Sequence, residues 1–280
     1  MPCVYQQALS AVRHATKDRR VQERVMRAVA KRYQKKSLRG TPADYSQEVY
    51  WIVAQVTGVA DPYAREKREC NRMALAMVPD CYAALRCSPD KVVTGAHLAV
   101  AGNVIDLGIK HGLDIHRTLR SAVETPFAIN DLPRLRQLLK RARRVLYLGD
   151  NAGEIVFDRV FIEVLRECYP RVEVKFVVKS GPIINDATMA DAEQVGMTSV
   201  CEVIESGCAE IGLPLRHVSR ACRRAFAEAD VVIAKGHGNY ETLAGERSRP
   251  IVFILKAKCG VVARSLGVAI GSSVLAWNRV

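Results

Sequence analysis

The chain has 280 residues, of which 49% are hydrophobic and 25% are charged, a composition typical of a folded globular protein and not of a disordered one. No run approaches the ~20 apolar residues that a membrane-spanning helix needs, so we expect no membrane association. The formal net charge of +13 leaves an anionic partner open, either a charged small molecule or a nucleic acid.

The cysteines and the amino terminus indicate the compartment. The nine cysteines are an odd number, and no two of them have the two-residue spacing of a zinc knuckle. The first seven residues contain no basic segment followed by an apolar run, so no secretory signal is predicted. We therefore expect reduced thiols and a cytoplasmic protein.

The positive charge is concentrated in two segments. Residues 1–40 contain eleven Lys and Arg but only two acidic residues, and residues 134–144 add six basic residues without an acid. A basic nucleic-acid-binding protein without hydrolase activity is therefore the alternative hypothesis. Aromatic residues do not alternate with these charges as a platform for single strands requires, which favours a solvated cationic surface.

Residues 1–130 are predicted to form an α-helical subdomain. Between Val21 and Tyr33, apolar residues recur at steps of three and four, which is the spacing of one buried helix face. Similar helical patterns cover residues 46–58, 61–79 and 94–112. No alternation of apolar and polar residues typical of a strand interrupts them.

Residues 131–280 are predicted to form an α/β domain. Short β-rich runs cover residues 145–149, 172–178, 201–207, 231–236 and 251–258. Helical patterns separate several of them, at residues 154–168 and 217–227. This alternation predicts a three-layer α/β/α arrangement in which helices cover both faces of a largely parallel sheet.

Four of the predicted strands end in polar sequences. These ends are Gly149–Glu154, Lys179–Asp186, Lys235–Glu241 and Lys256–Cys259. Ligands of open parallel sheets bind outside the carboxyl ends of the strands. We therefore expect the four segments to converge on one crevice.

Side chains of the first two strand ends indicate a metal site. Asp150, Asn151 and Asp186 offer two carboxylates and an amide oxygen, the hard ligands that Mg²⁺ and Mn²⁺ prefer. No Cys or His lies beside them to favour a softer metal, although Co²⁺ and Ni²⁺ remain candidates. Taken singly, Asp150, Asn151 or Asp186 could instead cap a following helix.

The same strand ends supply groups that bind anions. Four lysines and four glycines lie there, namely Lys179, Lys235, Lys256, Lys258, Gly153, Gly181, Gly236 and Gly238. Lysine charges, backbone N–H groups at glycines and the positive end of a helix starting near Glu154 suit a phosphate group. We therefore predict metal-assisted phosphoryl transfer or hydrolysis, with either water or a carboxylate, Asp150 being the nearer candidate, as the nucleophile.

A dinucleotide cofactor is disfavoured by the turn after the first strand. A Gly-x-Gly-x-x-Gly fingerprint would need a glycine where Asn151 stands, and the charge of Asp150 would repel a pyrophosphate. In the helical half, Lys67 and Asn71 share one helix face. A second polar pair, at residues 103 and 106, lies in an apolar helix, where it forms either a structural network or the roof of the crevice.

Six motifs, in order along nearly the whole chain, carry a resemblance to a known family. They read DPYAREKRECN, AGNVIDLG, LGDNAGEIVFD, SGPIINDATMADA, AKGHGNYETL and LKAKCGVVA. The sequence resembles the damage-control phosphatases, also called domain-of-unknown-function family 89, in their archaeal and bacterial-type branch. The resemblance implies helices before a three-layer α/β/α domain, and metal-dependent hydrolysis of small phosphometabolites such as sugar phosphates.

The resemblance also implies roles for individual residues. Metal ligands are implied at Asp150, Asn151 and Asp186, the two aspartates being the catalytic residues. The implied and expected substrate contacts are Lys235, Lys258, Asn239, Asn103, Asp106, Glu154 and Ser180. One departure is the amino terminus, where Cys3 is followed by Gln6 and not by the second cysteine of a Cys-x-x-Cys motif.

Overall fold

The computed structural model describes residues 2–34, 43–111 and 125–278, without the side chains of residues 43–44 and 103–111. Helices occupy the chain before the sheet. They are α1 (Pro2–Ala15), α2 (Arg19–Tyr33), α3 (Ala43–Thr57), α4 (Ala64–Ala76), α5 (Val78–Cys87) and α6 (Lys91–His111). In the described residues, no helix is long and apolar enough to cross a membrane.

One seven-stranded sheet follows. Its strands are β1 (Ile129–Asn130), β2 (Arg144–Leu148), β3 (Glu173–Val178), β4 (Glu202–Glu205), β5 (Val231–Lys235), β6 (Ile251–Lys256) and β7 (Ser273–Trp277). Their order is β1-β7-β6-β5-β2-β3-β4, and only the β6–β7 pair is antiparallel. The predicted α/β class with a largely parallel sheet is confirmed.

Helices alternate with these strands. They are α7 (Leu132–Leu139), α8 (Glu154–Cys168), α9 (Met189–Gln194), α10 (Arg220–Glu228), α11 (Gly236–Leu243) and α12 (Gly260–Leu266). Strand β2 shows why the sheet is covered on both faces, because its side chains alternate in direction. Tyr147 packs with α6 and α8 in one buried cluster, whereas Leu146 packs with Phe226 of α10 in another.

The helical half is joined to the sheet domain through α6, which packs along α8. At this contact, a side chain on Gly95 would collide with the ring of Phe161, and one on Gly102 would press on Phe157 and the backbone of Glu154. The two glycines are seven residues apart and therefore share one helix face. The division of the chain into two domains at residue 130 stays a prediction. The buried core cluster around α6 includes residues from both sides of that position.

Several elements differ from the predicted ones. The predicted helix over residues 61–79 ends at Ala76, and α5 starts at Val78, with Pro79 in its first turn. Proline is accepted there because the first N–H groups of a helix have no partner within it. Helix α1 lies within the predicted α-helical subdomain, whereas strands β1 and β7 were not predicted from the sequence.

Candidate active site

The site lies where the chain direction across the sheet reverses. From β2 the chain moves to β3 and β4, then returns past β2 to β5 and β6, so β2 and β5 flank a topological switch point. Asp150 follows β2, and Gly236 follows β5 with a φ of 75°. A Cβ on Gly236 would lie 1.9 Å from the Oδ2 atom of Asp150. Only glycine therefore lets β5 end beside this carboxylate.

Backbone hydrogen bonds bring the second predicted strand end to the first. The Ala152 N–H donates to the Asn185 carbonyl at 2.9 Å, and the Ala187 N–H donates to the Asp150 carbonyl at 2.8 Å. These bonds place Asp186 opposite Asn151 in an isolated antiparallel bridge. The three predicted metal ligands therefore lie on two loops that are hydrogen-bonded to each other.

The loop that carries Asp186 has a strained backbone. Ile184 has a φ of 46°, in the left-handed region that β-branched residues rarely adopt. Its neighbour Ile183 is fully buried in a cluster with side chains of α1, α2 and α3. The residue next to the strained turn is therefore held by packing against the amino-terminal helices, just before Asp186.

The carboxylates of the site are crowded and partly desolvated. Burial and the nearby charges of Glu154 and Asp186 raise the pKa of Asp150 well above its usual range, against the charges of Lys258 and Lys235. Burial raises the pKa of Asp186 to about 6, although the ammonium of Lys179, 3.5 Å from its Oδ2 atom, opposes the shift. A cation placed among these groups would favour their charged forms.

A buried ion-pair network lies beneath Asp150. The ammonium of Lys235 donates to Asp158 Oδ1 at 2.7 Å and to the Ala99 carbonyl of α6 at 2.7 Å. The Tyr147 hydroxyl donates to the same Asp158 oxygen at 2.7 Å. Lys235 and Asp158 are fully buried, so the predicted phosphate-binding lysine has a counter-ion that sequence reasoning missed. The available signal was an aspartate on the apolar face of α8, four residues after Glu154.

The donor set fits a hard divalent cation. The side-chain N–H₂ of Asn151 donates to Asp150 Oδ2 at 3.1 Å and to Glu154 Oε1 at 2.8 Å, which commits its nitrogen to carboxylates. Glu154 Oε2 is buried and has no hydrogen-bond partner among the described residues. Carboxylate oxygens with unmet bonding capacity, together with one amide, are the chemistry that Mg²⁺ and Mn²⁺ require. In the described part of the chain, no three or more His, Cys, Asp and Glu side chains are grouped so that they could hold a metal ion, so the donors of the predicted site are two aspartates and the amide of Asn151.

The helical half is fixed to the ligand loops by Asn71 of α4. Its Oδ1 atom accepts from the Gly153 N–H at 2.7 Å, and its Nδ2 atom donates to Asp191 Oδ1 at 2.9 Å. Lys67, one turn earlier, forms ion pairs with Asp61 at 2.8 Å and with Asp191 at 3.3 Å. The expectation that the Gly153 N–H meets a phosphate is wrong, because Asn71 already accepts its hydrogen bond.

The remaining predicted substrate contacts are placed differently. Lys258 is exposed, and its charge lowers the pKa of Asp150, so it lies within reach of the site. Asn239 is buried, and its amide donates to the carbonyls of Gly149 and Lys235, which joins the ends of β2 and β5. Ser180 accepts a hydrogen bond from the Gly207 N–H at 2.6 Å, on the neighbouring loop. Their substrate roles stay predictions.

Two further predicted contacts, Asn103 and Asp106, lie in the last turns of α6. Their side chains are outside the part of the chain that the structure describes. The adjoining Gly102 packs against the backbone of Glu154, so this part of α6 approaches the first turn of α8.

Fold and site together define a doubly wound α/β protein with a cluster of acidic side chains at the switch point of its sheet. A family model described as the damage-control phosphatase ARMT1-like domain matches residues 1–274, and the chain therefore belongs to this family. The family predicted from the six motifs is thus confirmed.

Individual relatives cover almost the whole chain. One from Pyrococcus horikoshii, named damage-control phosphatase PH1575, is 34% identical over 284 residues, which cover 100% of this chain and 96% of the relative. A damage-control phosphatase from Archaeoglobus fulgidus is 34% identical over 244 residues, covering 85% of this chain and 83% of that protein. The crystal structure of a DUF89 family protein from Pyrococcus horikoshii matches with a TM-score of 0.91 at 35% identity, over 99% of this chain and 97% of that one.

Proposed function

We propose that this protein is a divalent-metal-dependent phosphomonoesterase that hydrolyses small phosphorylated metabolites, with sugar phosphates among its substrates. The observation that carries the proposal is the convergence of Asp150, Asn151 and Asp186 at the switch point, where burial raises the pKa of both carboxyl groups. The relatives named damage-control phosphatases support the reaction class.

The proposed metal ligands are the side-chain oxygens of Asp150, Asn151 and Asp186. A bound divalent cation would polarise a phosphate oxygen and lower the pKa of a coordinated water. The Asn151 amide connects Asp150 to Glu154, which orients both carboxylates by hydrogen bonds. Two anchored carboxylates hold their geometry better than exposed ones, whose side chains rotate freely.

The lysines have separate proposed roles. Lys258 is exposed beside Asp150, so its ammonium can contact the oxygens of a phosphate at the mouth of the site. Lys235 is fully buried and bonded to Asp158, so it would act on the phosphate through its charge while balancing the carboxylates beneath. Together, the exposed ammonium of Lys258 and the buried ammonium of Lys235 would stabilise the negative charge that develops on the phosphoryl oxygens.

The first test removes the proposed ligands one at a time. Asp150→Ala and Asp186→Ala should abolish metal-stimulated hydrolysis of p-nitrophenyl phosphate, whereas Glu173→Ala should retain it. Glu173 is an exposed carboxylate at the start of β3, away from the carboxyl ends of the strands, and therefore controls for the loss of one negative charge. Full activity of either aspartate variant would exclude this site.

A second experiment defines the metal and the substrate class. Mg²⁺, Mn²⁺, Co²⁺ and Ni²⁺ are each tested with the EDTA-treated protein over a panel of sugar phosphates and nucleotides. We expect activity only after a metal is returned, with the highest kcat/KM for sugar phosphates. Equal turnover without metal would contradict the metal-dependent mechanism, and turnover restricted to nucleotides would contradict the substrate class.

A further inference from the structure

An arginine-rich hollow lies at the edge of the sheet opposite the candidate active site. One cavity of about 650 Å³ is lined by Arg134, Arg141 and Arg249, together with Asp230. Asp230 directly precedes β5, and Arg249 lies two residues before β6, so this edge carries the amino ends of the parallel strands. Strand β2 has five residues, so its two ends are separated by about 17 Å.

A second cavity adjoins the first. Its volume is about 430 Å³, and it is lined by Arg216, Arg223 and again Arg249, beside apolar groups of Leu215 and Phe226. Arg249 therefore belongs to both cavities. Both volumes fall within the ~300–1,000 Å³ range of small-molecule sites.

Most of these guanidinium groups form no close ion pair in the described part of the chain. Among the described residues, no carboxylate lies within 4.0 Å of the side-chain nitrogens of Arg134, Arg141, Arg223 or Arg249. The Oδ2 atom of Asp230 accepts from the backbone N–H groups of residues 143 and 144 at 2.8 and 2.9 Å. Burial acts to raise the pKa of Asp230, but these hydrogen bonds and the charges of Arg144 and Arg249 lower it. Arg134, Arg141, Arg223 and Arg249 outnumber the one aspartate, so the joined cavities, which share Arg249, carry an excess of positive charge.

Arg134 is fixed at the wall of the first cavity by an aromatic ring. Its guanidinium lies over the ring of Trp277, 4.3 Å from the ring centre, and its Nη1 atom donates to Gln137. Its Nε atom is buried and has no hydrogen-bond partner in the described part of the chain. Stacking therefore orients the guanidinium plane at the cavity wall, where its outer N–H groups can donate to an anion.

We propose that the joined cavities bind an oligophosphate anion, the group shared by nucleoside triphosphates and inorganic polyphosphate. Arginine binds phosphate oxygens in pairs through its planar fork, which suits this ligand better than a lone lysine would. A single phosphate would reach one cavity, whereas a chain of three could engage arginines of both around Arg249. The site is separate from the switch point and does not depend on the phosphatase activity.

Binding is measured by isothermal titration calorimetry with the full chain carrying Asp150→Ala, in EDTA, so that neither hydrolysis nor a metal contributes. We expect one tripolyphosphate per chain and at least tenfold weaker binding of orthophosphate. In the same background, Arg249→Ala should weaken tripolyphosphate binding at least about tenfold, because it removes charge-assisted hydrogen bonds from both cavities. Arg27→Ala, which removes an exposed charge of α2, is the matched control and should leave the affinity unchanged.

The outcomes separate the sources of the anion. ATP binding as tightly as tripolyphosphate supports recognition of the phosphate chain alone, and ATP binding at least tenfold more tightly supports a nucleotide. Failure of tripolyphosphate to bind, or equal losses in Arg249→Ala and Arg27→Ala, overturns the proposal. A single-stranded RNA of twenty nucleotides that binds more tightly than either ligand, and loses this affinity in Arg249→Ala, would assign the surface to nucleic acid instead.

Discussion

Replacing Lys235 by methionine tests whether the buried lysine mainly holds the structure or mainly serves the phosphate. The side chain is fully buried, with its ammonium 2.7 Å from Asp158 Oδ1 and 3.9 Å from Glu154 Oε2. Methionine has a similar length but no charge, so Lys235→Met leaves two buried carboxyl groups without their cation. Breaking a buried ion pair from one side costs about 3–5 kcal/mol of stability.

The pH dependence of this loss has a defined sign. Burial raises the pKa of Asp158 even with Lys235 present, and the charge of Lys235 opposes that rise. Without the lysine the folded-state pKa moves further above the unfolded value, so the protonated form is favoured in the folded protein. The variant should therefore be closest to wild-type stability at acid pH and lose stability as the pH rises.

Urea unfolding at pH 5.5 and pH 8 measures both effects, and activity is assayed on the folded fraction. The double variant Lys235→Met with Asp158→Asn should recover most of the lost stability, because it removes the stranded charge while keeping a polar partner for Tyr147. A Lys235→Met protein within about 1 kcal/mol of wild type at pH 8, or a double variant no more stable than the single one, would refute the buried-pair reasoning.

Three further outcomes follow from the site geometry. Metal affinity measured by calorimetry should fall as the pH drops through about 6, because burial raises the pKa of Asp186 and protons then compete with the metal. Gly236→Ala should impair metal binding by pressing on Asp150, whereas Gly245→Ala, which has open space, should not; equal effects would contradict the contact. Asn71→Ala should lower the unfolding free energy by about 2–4 kcal/mol in urea titrations, since it strands buried donors and acceptors; a loss below 0.5 kcal/mol would contradict this.

The convergence of the ligand residues could be predicted because it depends on topology alone. Asp150, Asp186 and Lys235 each follow a strand, and parallel strands place such residues at one edge of the sheet. The predicted four-residue spacing of Lys67 and Asn71 also placed both on one face of α4, where they meet Asp191. Local pattern and strand direction were sufficient for these positions.

The rest depends on contacts between distant parts of the chain. Asn71 accepts a hydrogen bond from the Gly153 N–H, and Lys235 pairs with Asp158. To predict these two contacts, one must know which helix packs over which loop. Short-range signals cannot supply this, because the partners are separated by 82 and 77 positions. Strand β7 was also missed. Helix α12 lies between β6 and β7 in the chain, yet β7 runs antiparallel to β6, an arrangement that the alternation of strands and helices does not predict.

These long-range contacts give the helices before the sheet a structural role in a protein whose three proposed metal ligands all lie after residue 149. Asp191 accepts from Thr188 in a capping box and also pairs with Lys67 and Asn71, so α4 fixes the segment that follows Asp186. Buried Ile183 fixes the segment before it against α1, α2 and α3. Because the ligand loop is held from both ends by the helical half, its strained turn is supported by packing outside the sheet. The helices therefore form part of the site's supporting structure, and changes in their buried faces should alter metal affinity without touching a ligand.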